Sequence, residues 1–448
     1  MKGTRAEDPP AAVAATPTQA GEGRARWAWT APSVWTERML TALERGVKGG
    51  VWFSLIDKVY AVRTLWAAWR TVWARHGAGG VDRQTVEQFG TQADQHLRHL
   101  AEALRTDTYV PQPVRRCWIA KPGTTEQRPL GIPTVKDRVV QTALRLVLEP
   151  IFEKDFHPHS YGFRPGRGCK DALREVQRLL DAGATWVVDA DMKSYFDTIP
   201  HPELMADVRQ RVRDGRVLKL LEQYLSQQVM DGLAQWTPEG GTPQGAVISP
   251  LLANVYLHPV DVRMATAGYE MVRYADDLVI LCRSETEARQ ALADLEGMLT
   301  QRGLTLHPTK TRVVDASAPG GFDFLGYHFE QGERWPREKS LRKLKDKVRT
   351  LTRRKGGVSL AVTIARLNPV LRGWFGYFQH SRPWTFRVLD GWVRMRLRSR
   401  LRKHLGLTGR GRGADHQRWP NAYFRERHLY SLVTAHALVC QSLHPGPR

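Results

Sequence analysis

Cysteine is scarce and scattered. The 448 residues hold four, at positions 117, 169, 282 and 440, and no two form a Cys-x-x-Cys pair. That argues against a zinc ribbon or a disulfide framework and suits a reducing, cytoplasmic setting. Long apolar runs are also missing. Nothing approaches the roughly 18 consecutive apolar residues of a membrane span, so no membrane partner is expected. The N-terminal stretch "MKGTRAEDPPAAVAATPTQAGEG" has one short apolar segment, broken by Pro and Thr, and no secretory signal is expected there. Acidic residues are in deficit: 45 Asp and Glu stand against 67 Lys and Arg, a net charge of +22. Such an imbalance points to a polyanionic partner.

The deficit is not spread evenly. Residues 331–448 carry 27 Lys and Arg against 6 Asp and Glu, whereas residues 1–330 are nearly neutral. The chain therefore reads as a near-neutral globular part followed by an appendage suited to phosphate. Residues 1–35, rich in Ala, Pro, Gly and Thr, are expected to be a disordered tail. From 37 to 75 apolar residues recur at spacings of three and four, a helical pattern. "VPQPVRRCWIAKPGTTEQRPLGIPT" is strand-rich and punctuated by Pro and Gly.

What is present in excess of need is charge in an apolar strand. "MVRYADDLVILC" (271–282) sets Asp276 and Asp277 side by side among Met271, Val272, Tyr274 and Leu278–Cys282. Adjacent like charges repel, and burial raises that cost. An Asp pair at a hairpin turn can be merely structural. A third acid, Asp191, closes the apolar strand "WVVDAD". Carboxylates at two strand ends, once brought together, could hold two Mg²⁺ ions about 4 Å apart. That is the chemistry of nucleotide addition.

The order of further motifs extends this reading. "GVDRQTVEQF" (80–89) comes first, then "RPLGIPTVKDRVVQTALRLVLEPIFEKDFHPHSYGFRPGRG" (128–168) and "VVDADMKSYFDTI". "GGTPQGAVISPLLANVYL", "RYADDLVIL", "LTLHPTKTR" and "FDFLGYHF" follow. Taken together they resemble the reverse transcriptases encoded by bacterial group II introns, over about residues 36–440. The Ala within "YADD" fits that lineage. The resemblance implies an α+β right-hand polymerase, with fingers, an antiparallel palm sheet and an α-helical thumb and maturase domain. The implied division is 36–180 for the N-terminal extension and fingers, and 181–330 for the palm with part of the fingers. Residues 331–410 would be the thumb and maturase domain, and 411–448 a basic C-terminal region. "RWPNAYFRERHLYSL" (418–432) is similar to the tail of that lineage. Cys440 has no cysteine partner nearby, and no HNH endonuclease module is expected.

Carried onto this chain, the family's motifs make Asp191, Asp276 and Asp277 the catalytic, metal-binding triad, with two Mg²⁺ ions, Mn²⁺ being a possible substitute. Phe196 matches the aromatic residue that lies under the incoming sugar and disfavours a 2′-hydroxyl. Lys121 and Arg128 flank the loop "PGTTEQ" and match a pair that clamps the triphosphate of a dNTP, Arg by bidentate contacts. Gln244 matches a residue near nucleotide and template. Lys310 matches a lysine facing the leaving pyrophosphate, as charge or acid. Asp189 reads as structural and Asp197 as a motif companion outside the metal set. The glycines of "GGTPQG" are expected to let backbone approach a base pair.

The implied function is an RNA-directed DNA polymerase and maturase. It would bind its intron RNA, assist splicing and copy RNA into DNA during intron mobility. Its partners would be group II intron RNA, an RNA template with a DNA primer, dNTPs and target DNA. Two other readings share most of these residues: a domesticated polymerase in DNA repair or phage defence, and an RNA-binding splicing factor with a silent polymerase site.

Overall fold

The computed structural model describes residues 26–46, 48–120, 127–354, 357–408 and 413–443. Among them the strands, in chain order, are β1 (Val114–Ala120), β2 (Gln127–Ile132), β3 (Trp186–Asp191), β4 (Val229–Asp231) and β5 (Ala234–Trp236). They continue with β6 (Glu270–Tyr274), β7 (Asp277–Cys282), β8 (Arg312–Asp315), β9 (Phe322–Phe324), β10 (Tyr327–Glu330) and β11 (Glu333–Pro336). The chain divides into two compact units. One comprises residues 1–168, 192–266 and 296–305, the other 169–191, 267–295 and 306–448.

In the first unit a four-stranded sheet runs β2-β1-β4-β5. β1 pairs antiparallel with β2 and parallel with β4, and β4 and β5 form a hairpin. The helices Val62–Trp73, Val135–Glu153 and Ser249–Thr266 supply a large share of its core. Helix Val135–Glu153 starts where Thr134 accepts the Asp137 amide, a side-chain cap of the usual kind. Helix Ser249–Thr266 is apolar on nearly every face, as expected of a helix enclosed by its neighbours. Residues 26–35 belong to this ordered structure, contrary to the tail expected over 1–35. Trp27 and Trp35 are each only 2% exposed, and their indole N–H groups donate to Glu44 and to the Leu146 carbonyl. Two large aromatic side chains with satisfied donors outweigh the local Pro- and Ala-rich composition. Residues 1–25 lie outside the described ones.

The second unit holds a four-stranded antiparallel sheet of order β6-β7-β3-β8 and a three-stranded one of order β11-β10-β9. β3 and β7 are covered on both faces, since consecutive residues, Val187 and Val188 and then Leu278 to Cys282, are all buried. After β11 the chain is helical. Helices Glu338–Leu351, Leu360–Phe378 and Pro383–His404 pack around Val348, Leu371, Phe375 and Phe386. Buried Asp390 accepts from Ser431 Oγ and from the amides of Leu432 and Val433, capping the last helix, Leu432–Leu443. The aromatic run 374–378 lies in or against this core rather than on a free surface. The fold is α+β with an antiparallel sheet and a helical C-terminal region, as the sequence predicts.

Candidate active site

β6 and β7 form the hairpin expected of "RYADDLVILC", with Tyr274 paired to Asp277 and only Ala275 and Asp276 between them. Ala275 has φ +61°, a left-handed value more often taken by glycine in two-residue hairpins. Beneath the turn, Arg273 is 1% exposed and donates from Nη1 to the Ala275 carbonyl over 2.8 Å. A buried guanidinium fixes this bend.

The pairing of β3 with β7 places Asp191 directly opposite Asp277. Three carboxylates therefore collect at one end of one sheet: Asp191 at the end of β3, Asp277 at the start of β7, and Asp276 in the turn. Directly opposed like charges destabilise a sheet. The effect appears on Asp277, whose carboxyl is pushed up to about 7, first by burial and then by Asp189, Asp276 and Asp191; Arg337 opposes this. Asp189, two residues before Asp191, is also raised by burial, partly offset by Arg312 at 3.2 Å. Asp191 pairs with Lys310, Nζ to Oδ2 2.6 Å. The Asp191 carbonyl also accepts the His307 amide at 2.7 Å, tying the segment that carries Lys310 to the end of β3.

These residues suit a hard divalent cation by donor chemistry. They are carboxylate oxygens, the ligand type Mg²⁺ prefers. Burial first, and then repulsion from Asp189, Asp276 and Asp191, raises the Asp277 carboxyl, and a cation among the acids would relieve that repulsion.

Phe196 and Gln244 lie in the first unit. Gln244 Nε2 donates to Asp197 Oδ2 over 3.1 Å, and the neighbouring Phe196 makes an edge contact with Phe163 at 6.4 Å between centroids. Burial raises the Asp197 carboxyl, while Arg116 and Gln244 lower it. The loop bearing Gln244 is stitched in place. The Thr242 amide donates to the Phe196 carbonyl and the Gly131 amide to the Gln244 carbonyl. The Val247 amide donates to fully buried Gln141. The glycines serve this packing. A Cβ at Gly241 would lie 2.7 Å from the Phe196 oxygen, and one at Gly245 2.5 Å from the Gly131 oxygen. Two of these glycines allow the loop to approach the protein's own backbone closely.

Arg128 sits exposed on β2, opposite Ile119. Lys121 lies outside the described residues. Sequence reasoning passed over Arg273, Gln141 and the role of Asp197. Only Arg273 carried a signal, an arginine inside an apolar strand.

Residues 119–329 match the family described as reverse transcriptase (RNA-dependent DNA polymerase), and residues 341–419 match the group II intron maturase-specific domain. The chain is 37% identical over 198 residues to the group II intron-encoded protein LtrA of Lactococcus lactis subsp. cremoris, a match over 44% of this chain and 32% of that one. It thus spans about a third of that relative's length. It is 35% identical to protein YkfC of Escherichia coli (strain K12) over 291 residues, covering 55% of this chain and 74% of that one. Among solved structures, a chain of the partial Cas6-RT-Cas1--Cas2 complex is similar at 26% identity and a TM-score of 0.36, over 55% of this chain and 41% of that one.

Proposed function

The chain belongs to the family of group II intron-encoded reverse transcriptases and maturases, and from that premise we propose that it is an RNA-directed DNA polymerase that also binds and helps fold its parent intron RNA. The observation that carries this is the register setting Asp191 opposite Asp277, with Asp276 in the adjoining turn. Asp191, Asp276 and Asp277 would hold two Mg²⁺ ions, or Mn²⁺ in their place. The bound metal supplies Lewis-acid stabilisation of the attacking and leaving oxygens.

The remaining roles belong to side chains. Lys121 and Arg128 bind the triphosphate of the dNTP, Phe196 lies under its sugar, and Gln244 contacts nucleotide and template. Lys310 supplies charge or a proton to the departing pyrophosphate. We assign residues 36–180 to the extension and fingers, 181–330 to the palm, 331–410 to the thumb and maturase domain, and 411–448 to a basic tail. The basic helices after residue 331 would hold RNA and the template–primer duplex by phosphate contacts, largely without reading sequence. The setting is the bacterial cytoplasm; among the described residues no helix is long and apolar enough to cross a membrane. Target DNA would be met when the intron inserts.

Two measurements test this. Primer extension on an RNA template should be lost in Asp276→Asn while RNA binding is retained; normal cDNA from that variant would sink the assignment. Purification from the host at moderate salt should bring down one structured RNA containing this chain's own coding region. A diffuse mixture without such a transcript would assign the polymerase to a host function instead.

A further inference from the structure

The first unit carries an aromatic and cationic surface that none of the roles above uses. In β1, Arg116 and Trp118 alternate onto one face. The register Val114↔Val229↔Trp236 brings Trp236 of β5 to that same face. Trp118 is 51% exposed and Trp236 40%. The Arg116 guanidinium lies 5.7 Å from the Trp118 ring centroid and 5.3 Å from that of Trp236, within cation–π range of both. Trp118 Nε1 donates to Asp231 Oδ2 over 2.9 Å, which fixes the plane of the indole.

Single exposed apolar side chains need no explanation. Two tryptophans held on one sheet face around a shared arginine are a different arrangement. Each ring keeps large exposed area although the guanidinium lies over one of its faces, and one ring is pinned by a hydrogen bond. The chemistry that matches is a nucleobase stacked on an indole plane with its phosphate near the arginine.

We propose that Arg116, Trp118 and Trp236 form a stacking platform for unpaired bases of a single-stranded polynucleotide. The platform rests on the reading of the chain as a nucleic-acid enzyme. It adds a binding site for unpaired strand in addition to the phosphate-binding helices, and one that responds to salt differently. Stacking is largely indifferent to ionic strength, whereas phosphate contacts weaken steeply with it.

The test uses the full chain and fluorescence anisotropy with labelled oligo(U), oligo(dT) and a blunt RNA duplex, each about 12 nucleotides long, within the span single-strand sites occupy. The Trp118→Ala/Trp236→Ala pair should weaken binding of oligo(U) about ten-fold or more and leave the duplex within about two-fold. The slope of log K against log salt should not change, because the phosphate contacts that set it remain in place. The Trp118→Phe/Trp236→Phe pair, which loses the bond to Asp231 but keeps aromatic faces, should recover most of the affinity. An equal loss with oligo(dT) assigns recognition to the bases; a loss with oligo(U) alone assigns it to a ribose-containing strand. Unchanged single-strand binding in the alanine pair, or equal losses for strand and duplex, overturns the platform. Primer extension by the unaltered chain separates the two readings. If it fails while the alanine pair still loses oligo(U), the polymerase reading falls and the platform stands. If it succeeds while the alanine pair binds normally, the platform alone falls.

Discussion

At the ends of β3 and β7 the chain sets carboxylates against one another and leaves the innermost, Asp277, pushed up to about 7. Around Gln244 the chain supplies its own partners: Asp197 accepts the side-chain Nε2–H, the Gln244 backbone carbonyl accepts the Gly131 amide, and Gln141 accepts the Val247 amide three residues on. The first region gathers repelling carboxylates, of which Asp191 and Asp189 pair with Lys310 and Arg312. The second is tied together mainly by hydrogen bonds, with Gln141 Nε2 and Thr242 Oγ1 buried and without a partner among the described residues. The contrast suggests where an outside component would act. A cation would relieve the acids, whereas the loop is largely preorganised by the protein. Perturbing the acids should therefore change chemistry and metal response together. Perturbing the loop should change substrate selection with the metal response intact.

The largest expected effect is on the acids. Asp277→Asn keeps the size of the side chain but removes its charge. Primer extension should fall by at least about a hundred- to a thousand-fold, the scale of losing a group that acts in the transition state. The same change should raise the melting midpoint at pH 8 in chelator, because a repelled buried carboxylate is gone. A fall in that midpoint would mean that Asp277 is satisfied without metal, and the contrast would break.

Next is the loop side. Phe196→Val should relax discrimination between deoxy- and ribonucleotides by about ten- to a hundred-fold, the range over which a pocket tells substrates apart by one small group. The Mg²⁺ concentration for half-maximal rate should not move. Competition between dNTP and rNTP in single-nucleotide extension measures the first; a Mg²⁺ titration measures the second. Asp197→Ala should act through Gln244. KM for dNTP should rise by about three- to ten-fold with a smaller change in kcat, as expected when one charge-assisted hydrogen bond is lost. Asp197→Asn, which can still accept from Gln244, should recover part of the loss.

Much of the acid site was legible in the sequence. The two strands, the turn between them and the three acids follow from apolar, β-branched runs and from aspartate within them. What made Asp191 and Asp277 neighbours was a register across some ninety residues, which the pattern alone does not give. Less of the loop site could be read. Asp197 acquires a role only because the segment with Gly241 and Gly245 folds back onto Phe196 and Gly131. Trp118 and Trp236 share a face only through the parallel pairing of β1 with β4. Trp27 and Trp35 were masked by the composition around them. In each case local composition was outweighed by a long-range contact.

The acid region also has a pH signature that separates it from ordinary burial. Asp277 and Glu149 are both pushed up to about 7, chiefly by burial, from ordinary values of 3.8 and 4.5. Between those limits the folded chain keeps protons that the unfolded chain has released. Metal-free stability should therefore fall as pH rises from about 4 to about 7 and level off above. Asp277→Asn and Glu149→Gln should each remove part of that slope. Mg²⁺ at pH 8 should restore the share belonging to Asp277 and leave the share belonging to Glu149 untouched. Thermal melts from pH 4 to 8, with chelator and with Mg²⁺, decide it; equal restoration of both shares would mean a general salt effect.

The smallest expected effect sharpens the comparison most finely, because it asks whether the acid hairpin is held by its own backbone or from below. Ala275 adopts φ +61°, which costs an L-residue about 1–2 kcal/mol. Glycine removes that strain but gives up roughly 0.5–1 kcal/mol in conformational entropy. Ala275→Gly should therefore be neutral or stabilising by up to about 1 kcal/mol, read as a rise of up to about 2–4 °C in the melting midpoint. If Arg273 holds the turn through the Ala275 carbonyl, extension should stay within about two-fold, since the loosened residue remains anchored. A larger loss in a chain that melts no lower would mean that the methyl group of Ala275, and not the arginine beneath it, sets the positions of Asp276 and Asp277.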